Sequence, residues 1–332
     1  MITFVLGVYN NLELTKSCYN HIRSIYPTNP LVISSGGSTD GTKEWLESLE
    51  DDELSFIHDD ERISFSTTYN NGIKLVDTEK LVLIHNDMVI SSNFLENLEK
   101  YVDKKTLLSY TTIEPPLFNY HIRPGKINLD LGDSFENFNY TLFDEYIKKY
   151  SDENLYNGAS FFMCGYKSMF EDVGYFDEKT FVPAFCEDDD FILRAKLKGY
   201  KLKTTGSAIV YHFISKTSRQ EKDSTIHEYN SNLNFIRKWG TDYTTFLNNG
   251  LFTDDNLYYK RYVMAFKPID EFNKDLEPFF SYDIENLNID VMITEVNKIT
   301  NEDINTIKNL QFILPHLNKG KYMINNLMVT LL

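Results

Sequence analysis

Short apolar runs interleaved with stretches of helical period constrain this chain more than any other feature of its sequence. Residues 2–8, 31–35, 55–58 and 80–84 each read as a buried strand. Between them, residues 14–24 (stopped by Pro27), 42–49 and 65–76 carry helical signals. Strand-helix alternation of this kind implies a mostly parallel central sheet with flanking helices, an α/β class. Ligands bind such sheets beyond the carboxyl ends of the strands. The segments following Val8, Ser34 and Ile84 are therefore where chemistry is expected.

Farther along, the period fails. Residues 110–157 read as irregular and rich in Asn, Tyr, Phe and Pro, and connections that long are usually functional or mobile. Residues 158–163 and 208–212 read as further strands, with a helix over 188–198 between them. A helix is expected over 224–239, and the rest of the chain to residue 332 mixes short helical and extended runs. These boundaries suggest a domain over 1–218 and a mixed, largely helical extension over 219–332, available for acceptor binding or oligomerisation.

With 33 basic and 49 acidic residues the net charge is −16. That excludes a general nucleic-acid groove, which needs a basic stripe, and a surface that binds anionic lipid by charge alone. The three cysteines, Cys18, Cys164 and Cys186, form no CxxC pair, which argues against a zinc knuckle and fits a reducing compartment. No apolar stretch is long enough to span a membrane, and the first strand lacks the basic and apolar regions of a signal peptide. A cytoplasmic location is expected. Among the 22 Tyr and 24 Phe most serve the core, while a minority in a cleft could stack on sugar rings.

Several polar clusters end apolar strands. His85-Asn86-Asp87 follows residues 80–84, so Asp87 sits at a carboxyl end. One carboxylate there, with a substrate diphosphate, is a natural seat for Mg2+ or Mn2+; a turn capping a helix over 91–100 is the alternative. Glu187-Asp188-Asp189-Asp190 opens the 188–198 helix, where acids also favour the helix dipole. Their mutual repulsion shifts proton affinity, which suits a general base. His212 ends a strand and offers an imidazole suited to Mn2+, although a lone histidine is more often structural. Ser35-Gly36-Gly37-Ser38-Thr39-Asp40-Gly41-Thr42 is a glycine-rich turn that matches neither a P-loop nor GxGxxG.

Taken in order, these segments resemble the family 2 glycosyltransferases of the GT-A fold. The likeness runs through Val8-Tyr9-Asn10-Asn11, then Gly37-Ser38-Thr39-Asp40-Gly41-Thr42, then the helix carrying Asn70-Asn71-Gly72. It continues through His85-Asn86-Asp87, Gly174-Tyr175-Phe176-Asp177-Glu178, and Glu187-Asp188-Asp189-Asp190 with Arg194 and Gly199-Tyr200. It closes on Val210-Tyr211-His212 with Ser215 and Ser218, and so covers roughly residues 2–218. The chain departs from the family at Ser35, where Asp commonly contacts the nucleobase, and at His85, where the metal motif commonly has Asp.

The resemblance implies sugar transfer with inversion, from a nucleotide-diphosphate sugar (UDP-sugar by default) to an acceptor hydroxyl that is glycan, lipid-linked or protein-linked. It implies Mn2+ or Mg2+ held by Asp87 and His212, with His85 a further possible ligand. Asp188 would be the general base, with Glu187 contacting the acceptor or orienting Asp188, and Asp190 a further possible site residue. Tyr9, Ser35, Asp40, Asn70 and Asn86 would line the donor pocket, and Phe118 and Tyr120 the acceptor side. Polysaccharide or glycoprotein assembly, with peripheral membrane contact and a homo-oligomer possible, is the implied setting. A catalytically silent GT-A-like nucleotide or glycan binding module is the main alternative. A nucleotidyltransferase is a weaker one, because no basic glycine-rich loop follows Val8.

Overall fold

A computed structural model describes residues 1–116, 125–214, 224–239, 320–324 and 327–331. The chain divides into two compact units, Met1–His227 and Glu228–Leu332.

In the first unit, β1 (Ile2–Val8), α1 (Leu12–Ile25), β2 (Leu31–Ser35), α2 (Thr42–Glu47), β3 (Leu54–His58), α3 (Phe65–Leu75) and β4 (Lys80–Ile84) alternate as the sequence implies. There follow β5 (Met88–Ile90), α4 (Phe94–Glu99), β6 (Thr106–Glu114), β7 (Lys126–Asn128) and α5 (Tyr140–Tyr150). The remainder comprises β8 (Leu155–Asn157), β9 (Met163–Tyr166), α6 (Lys167–Val173), α7 (Glu187–Leu197) and β10 (Lys201–His212). Helix α8 (Ser224–Trp239) crosses the boundary between the units. In the second unit the described strands β11 (Gly320–Ile324) and β12 (Leu327–Leu331) pair antiparallel.

The strands of the first unit form one ten-stranded sheet in the order β3-β2-β1-β4-β9-β6-β10-β5, with β7 on β6 and β8 on β10. The β3-β2-β1-β4 half is parallel, with Val8 opposite Ser35 and Ser35 opposite His58, so these carboxyl ends lie in line. Strand β9 runs antiparallel to both β4 and β6, which makes the sheet mixed at its centre. A core of Phe4, Leu6, Ile33, Ile84, Phe94 and Tyr110 packs on one side, and a second cluster gathers Phe138, Phe143 and Ile147 with Tyr211 and Phe213.

The segment expected to be irregular, 110–157, carries regular structure. The nine residues of β6 are all buried, so Ser109, Thr111 and Thr112 give no alternating pattern to read. Helix α5 follows, with Phe143 and Ile147 buried one turn apart. The strand expected over 158–163 also shifts. Pairing begins at Met163, and Phe161-Phe162 belong to the loop before it. Strand β10 begins at Lys201, earlier than its apolar end suggests, and carries a register shift between Thr205 and Ile209. The residues between 240 and 319 lie outside the described residues.

Close backbone approach seats α3 on β1. A Cβ on Gly7 would lie 2.6 Å from the Tyr69 ring, and one on Gly72 would lie 2.8 Å from Val5 Cγ1. Tyr69 is thereby held flat over the strand, and its hydroxyl donates to the Ile84 carbonyl at 2.7 Å. On α1, Thr15, Cys18 and Ile22 turn inward at helical spacing. Asp51 tethers the outer side of this helix. Its Oδ2 accepts from the Tyr19 hydroxyl and from Arg23 Nε, both at 2.7 Å, and its Oδ1 accepts from Glu53 N at 3.0 Å.

Burial raises the Asp51 carboxyl, but the Tyr19 and Arg23 hydrogen bonds and the Arg23 charge outweigh it and hold its pKa below the ordinary value. Asp51→Asn is therefore expected to cost about 1–3 kcal/mol at neutral pH. That contribution is complete above the unfolded value near ~3.9 and fades as pH falls through the lower folded value. Urea denaturation of both proteins between pH 7 and pH 3 checks this. A difference that does not shrink at the acid end contradicts it.

Candidate active site

Three strand ends converge at the carboxyl edge of the sheet. Strand β4 stops at Ile84, and His85-Asn86-Asp87 carries the chain into β5. Strand β5 pairs antiparallel with the end of β10, which sets His212 opposite Met88. The Phe213 N–H then donates to the Asp87 carbonyl at 2.9 Å. On its other side β10 runs parallel to β6 with Tyr211 opposite Ile113, so Glu114 lies beside His212.

The side chains close into a compact group. His212 Nε2 lies 3.2 Å from Asp87 Oδ1, and His85 Nδ1 lies 3.9 Å from the same oxygen. Among the described residues, His85, Asp87 and His212 form a group whose ligand atoms all lie within 4.8 Å of one another. Ligands about 2.1 Å from a shared ion lie at most ~4.2 Å apart, so both contacts to Asp87 fit one cation. Two imidazoles and one carboxylate are a donor set for a first-row transition ion.

Electrostatics separates the two histidines. Burial, reinforced by the His212 charge, pushes His85 down to about 4 despite the opposing pull of Asp87 and Glu114, so it is neutral at physiological pH. Burial also opposes charge on His212, yet Asp87 and Glu114 raise it to about 9. Aromatic rings wall the group. The Phe161 centroid is 4.6 Å from that of His85, and Phe162 is 5.4 Å from His85 and 5.2 Å from His212.

The same aromatic wall reaches α7. Phe161 stacks on Phe176 at 6.0 Å, and Phe176 meets Phe191 of α7 at 5.1 Å. The chain enters this helix through Phe185 (φ 78°) and Cys186 (φ 66°), both in the left-handed region. Such backbone costs about 1–3 kcal/mol per non-glycine residue and clusters at functional sites. It turns the chain so abruptly that Glu187 and Asp188 fall in the first turn of α7. Glu187 is buried, and its Oε2 has no hydrogen-bond partner among the described residues. Burial first, then the charge of Asp188, raises its carboxyl well above the ordinary range. Asp188 is half-buried. Asp190 is fully buried and pairs with Arg194 Nε at 2.8 Å. Arg194 also donates to the Val173 and Tyr175 carbonyls, so the pair clamps α7 to the turn after α6.

The expected donor-pocket residues have definite posts. Tyr9 is half-buried, with the Arg62 guanidinium 4.5 Å above its ring. Ser35 is fully buried. Its hydroxyl donates to Ser38 Oγ at 3.0 Å, and His58 Nδ1 lies 3.0 Å from it. Asp40 accepts from Leu12 N through one oxygen and from the Thr42 hydroxyl through the other, joining the loops after β1 and β2. Asn70 donates to the Phe176 carbonyl and to Glu178 Oε1, and accepts from Phe176 N. Asn86 is buried and donates to Thr15 Oγ1 at 3.0 Å. The structure thus brings His85, Asp87 and His212 together and gives Ser35, Asp40, Asn70 and Asp190 partners within the fold. Phe118, Tyr120, Ser215 and Ser218 lie outside the described residues.

Sequence reasoning missed Glu114 and Lys126. Glu114 Oε1 lies 3.1 Å from His212 Nδ1, and Lys126 Nζ lies 2.6 Å from Glu114 Oε2. The available signal was an acid closing the run Thr111-Thr112-Ile113-Glu114, the same strand-end position that singled out Asp87.

The model of the family described as Glycosyl transferase family 2 matches residues 3–174. Among curated proteins none matches the chain. Similar solved structures include the mannosyltransferase PcManGT from Pyrobaculum calidifontis in complex with GDP-Man and Mn2+, at 18% identity and TM-score 0.47, covering 71% of this chain and 64% of that one. TarS 1–349 of S. aureus in complex with UDP matches at 15% identity and TM-score 0.48, covering 71% and 66%. GalNAc-T7 with UDP, GalNAc and Mn2+ matches at 13% identity and TM-score 0.49, covering 64% and 43%. The chain spans less than two thirds of the length of each. The likeness is one of fold.

Because the Asn70 amide joins α3 to the segment preceding α7, Asn70→Ala leaves buried backbone groups of Phe176 unpaired. A loss of about 1–3 kcal/mol in urea denaturation is expected. A change below ~0.5 kcal/mol, the usual effect at an uninvolved surface site, contradicts this post.

Proposed function

The chain belongs to the family 2 glycosyl transferases, and from that premise we propose that it moves a sugar from a nucleotide-diphosphate donor to an acceptor hydroxyl with inversion at the transferred carbon. The observation that carries this reading is the convergence of Asp87, His212 and His85 at the carboxyl edge of the sheet, joined by the Phe161–Phe176–Phe191 wall to the helix start that bears Asp188.

Asp87 and His212 hold the ion, with His85 the third ligand. Their two nitrogens favour Mn2+ over Mg2+, which prefers oxygen. A cation held by these residues would supply positive charge to offset that of the departing diphosphate. Asp188 receives the acceptor proton. It lies at the positive end of the α7 dipole, beside Glu187, whose carboxyl burial pushes well above the ordinary range and which can hydrogen-bond the acceptor.

Tyr9 faces the donor, and Asn86, buried against Thr15, sets the turn that carries Asp87. Ser35, Asp40 and Asn70 act on the donor indirectly, by holding the walls of its pocket through the hydrogen bonds described above. With the Ser35 hydroxyl engaged and uncharged, UDP remains the default donor nucleotide rather than one this serine selects. The acceptor is a glycan, lipid-linked or protein-linked hydroxyl. No described helix is long and apolar enough to cross a membrane. The cytoplasmic setting, peripheral membrane contact and self-association belong to this proposal, as does a role for residues 219–332 in acceptor binding or oligomerisation.

Asp188→Asn is expected to lower kcat about 10²–10⁴-fold while nucleotide-sugar affinity holds. Near wild-type turnover in this variant contradicts the base role. Removing divalent ions with EDTA is expected to abolish transfer and Mn2+ to restore it. Full activity after exhaustive chelation overturns the metal reading, and the absence of both transfer and donor hydrolysis in the wild type leaves a silent binding module.

A further inference from the structure

Glu114 belongs to neither the Asp87 group nor the acidic start of α7, yet among the described residues it is one of four buried carboxylates, with Asp87, Glu187 and Asp190. It ends β6, a strand with no exposed residue, and its side chain is 3% exposed. One oxygen faces His212 Nδ1 at 3.1 Å and the other faces Lys126 Nζ at 2.6 Å. Lys126 starts β7, which pairs with β6 through Thr112 opposite Lys126. The carboxylate is therefore fixed from two neighbouring strands, and neither partner sits on a long loop.

We propose that Glu114 is the positioning residue of the metal centre, orienting His212 so that Nε2 is presented beside Asp87. A neutral imidazole has one N–H and one lone pair, and the bond made by one nitrogen decides what the other offers. An ionised carboxylate only accepts hydrogen bonds. The His212 imidazole gives up one proton to become a ligand, and with Glu114 accepting at Nδ1 the lone pair then falls on Nε2, the nitrogen 3.2 Å from Asp87 Oδ1. Without Glu114 the ring can turn about its χ2 bond, which places a C–H where the ligand atom is needed, or take the other tautomer, which places an N–H there. Lys126 completes the device. Its ammonium lies 2.6 Å from the second Glu114 oxygen and keeps the carboxylate aimed at the ring. Metal-bound histidines commonly donate their second N–H to a carboxylate in this way, and loss of that partner typically weakens metal affinity 10–100-fold.

The proposal rests on the metal reading above, and titration calorimetry of the full chain with Mn2+ alone, without nucleotide, tests the two separately. Glu114→Ala is expected to weaken Mn2+ binding about 10–100-fold. Glu114→Gln, made together with Lys126→Met so that no ammonium faces the amide NH2, keeps an oxygen accepting from Nδ1 and is expected to stay within about threefold of the wild type. If the alanine variant does not fold, the paired change Glu114→Leu with Lys126→Met removes both charges and fills their volume, a replacement that buried ion pairs often tolerate. It too is expected to lose 10–100-fold. Mn2+ affinity within threefold of the wild type in folded Glu114→Ala or in the Glu114→Leu pair overturns the proposal, as does a loss in the Glu114→Gln pair as large as in Glu114→Ala. Failure of the wild type to bind Mn2+ overturns the metal reading and this proposal together.

Discussion

The backbone pairing of β5 with the end of β10 is the contact on which the active site depends. It is short, with Met88, Val89 and Ile90 opposite His212, Tyr211 and Val210. It nevertheless joins the segments of Asp87 and His212, remote in sequence, and the Phe213-to-Asp87 backbone bond continues the ladder to Asp87 itself. Every residue of β5 is buried, so little water competes for these bonds. Buried backbone groups that lose a partner cost free energy comparable to the hydrogen bond itself, which makes the register of this pair hard to change. Since a one-residue slip would turn His212 to the opposite face of the sheet, register and chemistry are set together.

Around that pairing the structure keeps unlike charges close in a poorly hydrated setting. Asp87 faces two imidazoles, Glu114 faces one imidazole and one ammonium, and Asp190 faces a guanidinium. Glu187 is the exception. Among the described residues its Oε2 has no hydrogen-bond partner, it has three acidic neighbours in sequence, and burial raises its carboxyl well above the ordinary range. A buried charge must be paired or neutralised, and this site does both within one molecule. The aromatic wall from His85 to Phe191 lowers the hydration of the whole arrangement and couples the metal group to the helix bearing Asp188 through packed rings.

Much of this was legible in the sequence where a polar residue closes an apolar strand. Asp87 and His212 are such residues, and the strands before them have clear apolar runs. Glu114 holds an equivalent position but stayed hidden, because β6 is buried on both sides and built partly from serine and threonine, so it shows no period. The irregular reading of 110–157 has the same origin. Ser35, Asp40 and Asn70 were legible as special residues, but their roles depend on partners that local pattern does not reveal. Asn70, for example, binds Phe176 and Glu178, and Ser35 lies against His58. Asp190 reads as one of four equivalent acids, and only the three-dimensional position of Arg194 and the α6 turn separates it from Asp188.

The account centres on one cation site shared by Asp87, His212 and His85. Anomalous diffraction at the manganese edge, from crystals grown with Mn2+ and a nucleoside diphosphate, addresses it without reliance on turnover. The account predicts one strong anomalous peak within coordination distance of Asp87 Oδ1 and His212 Nε2. A peak elsewhere in the first unit, or none at these residues despite a bound nucleotide, would contradict it.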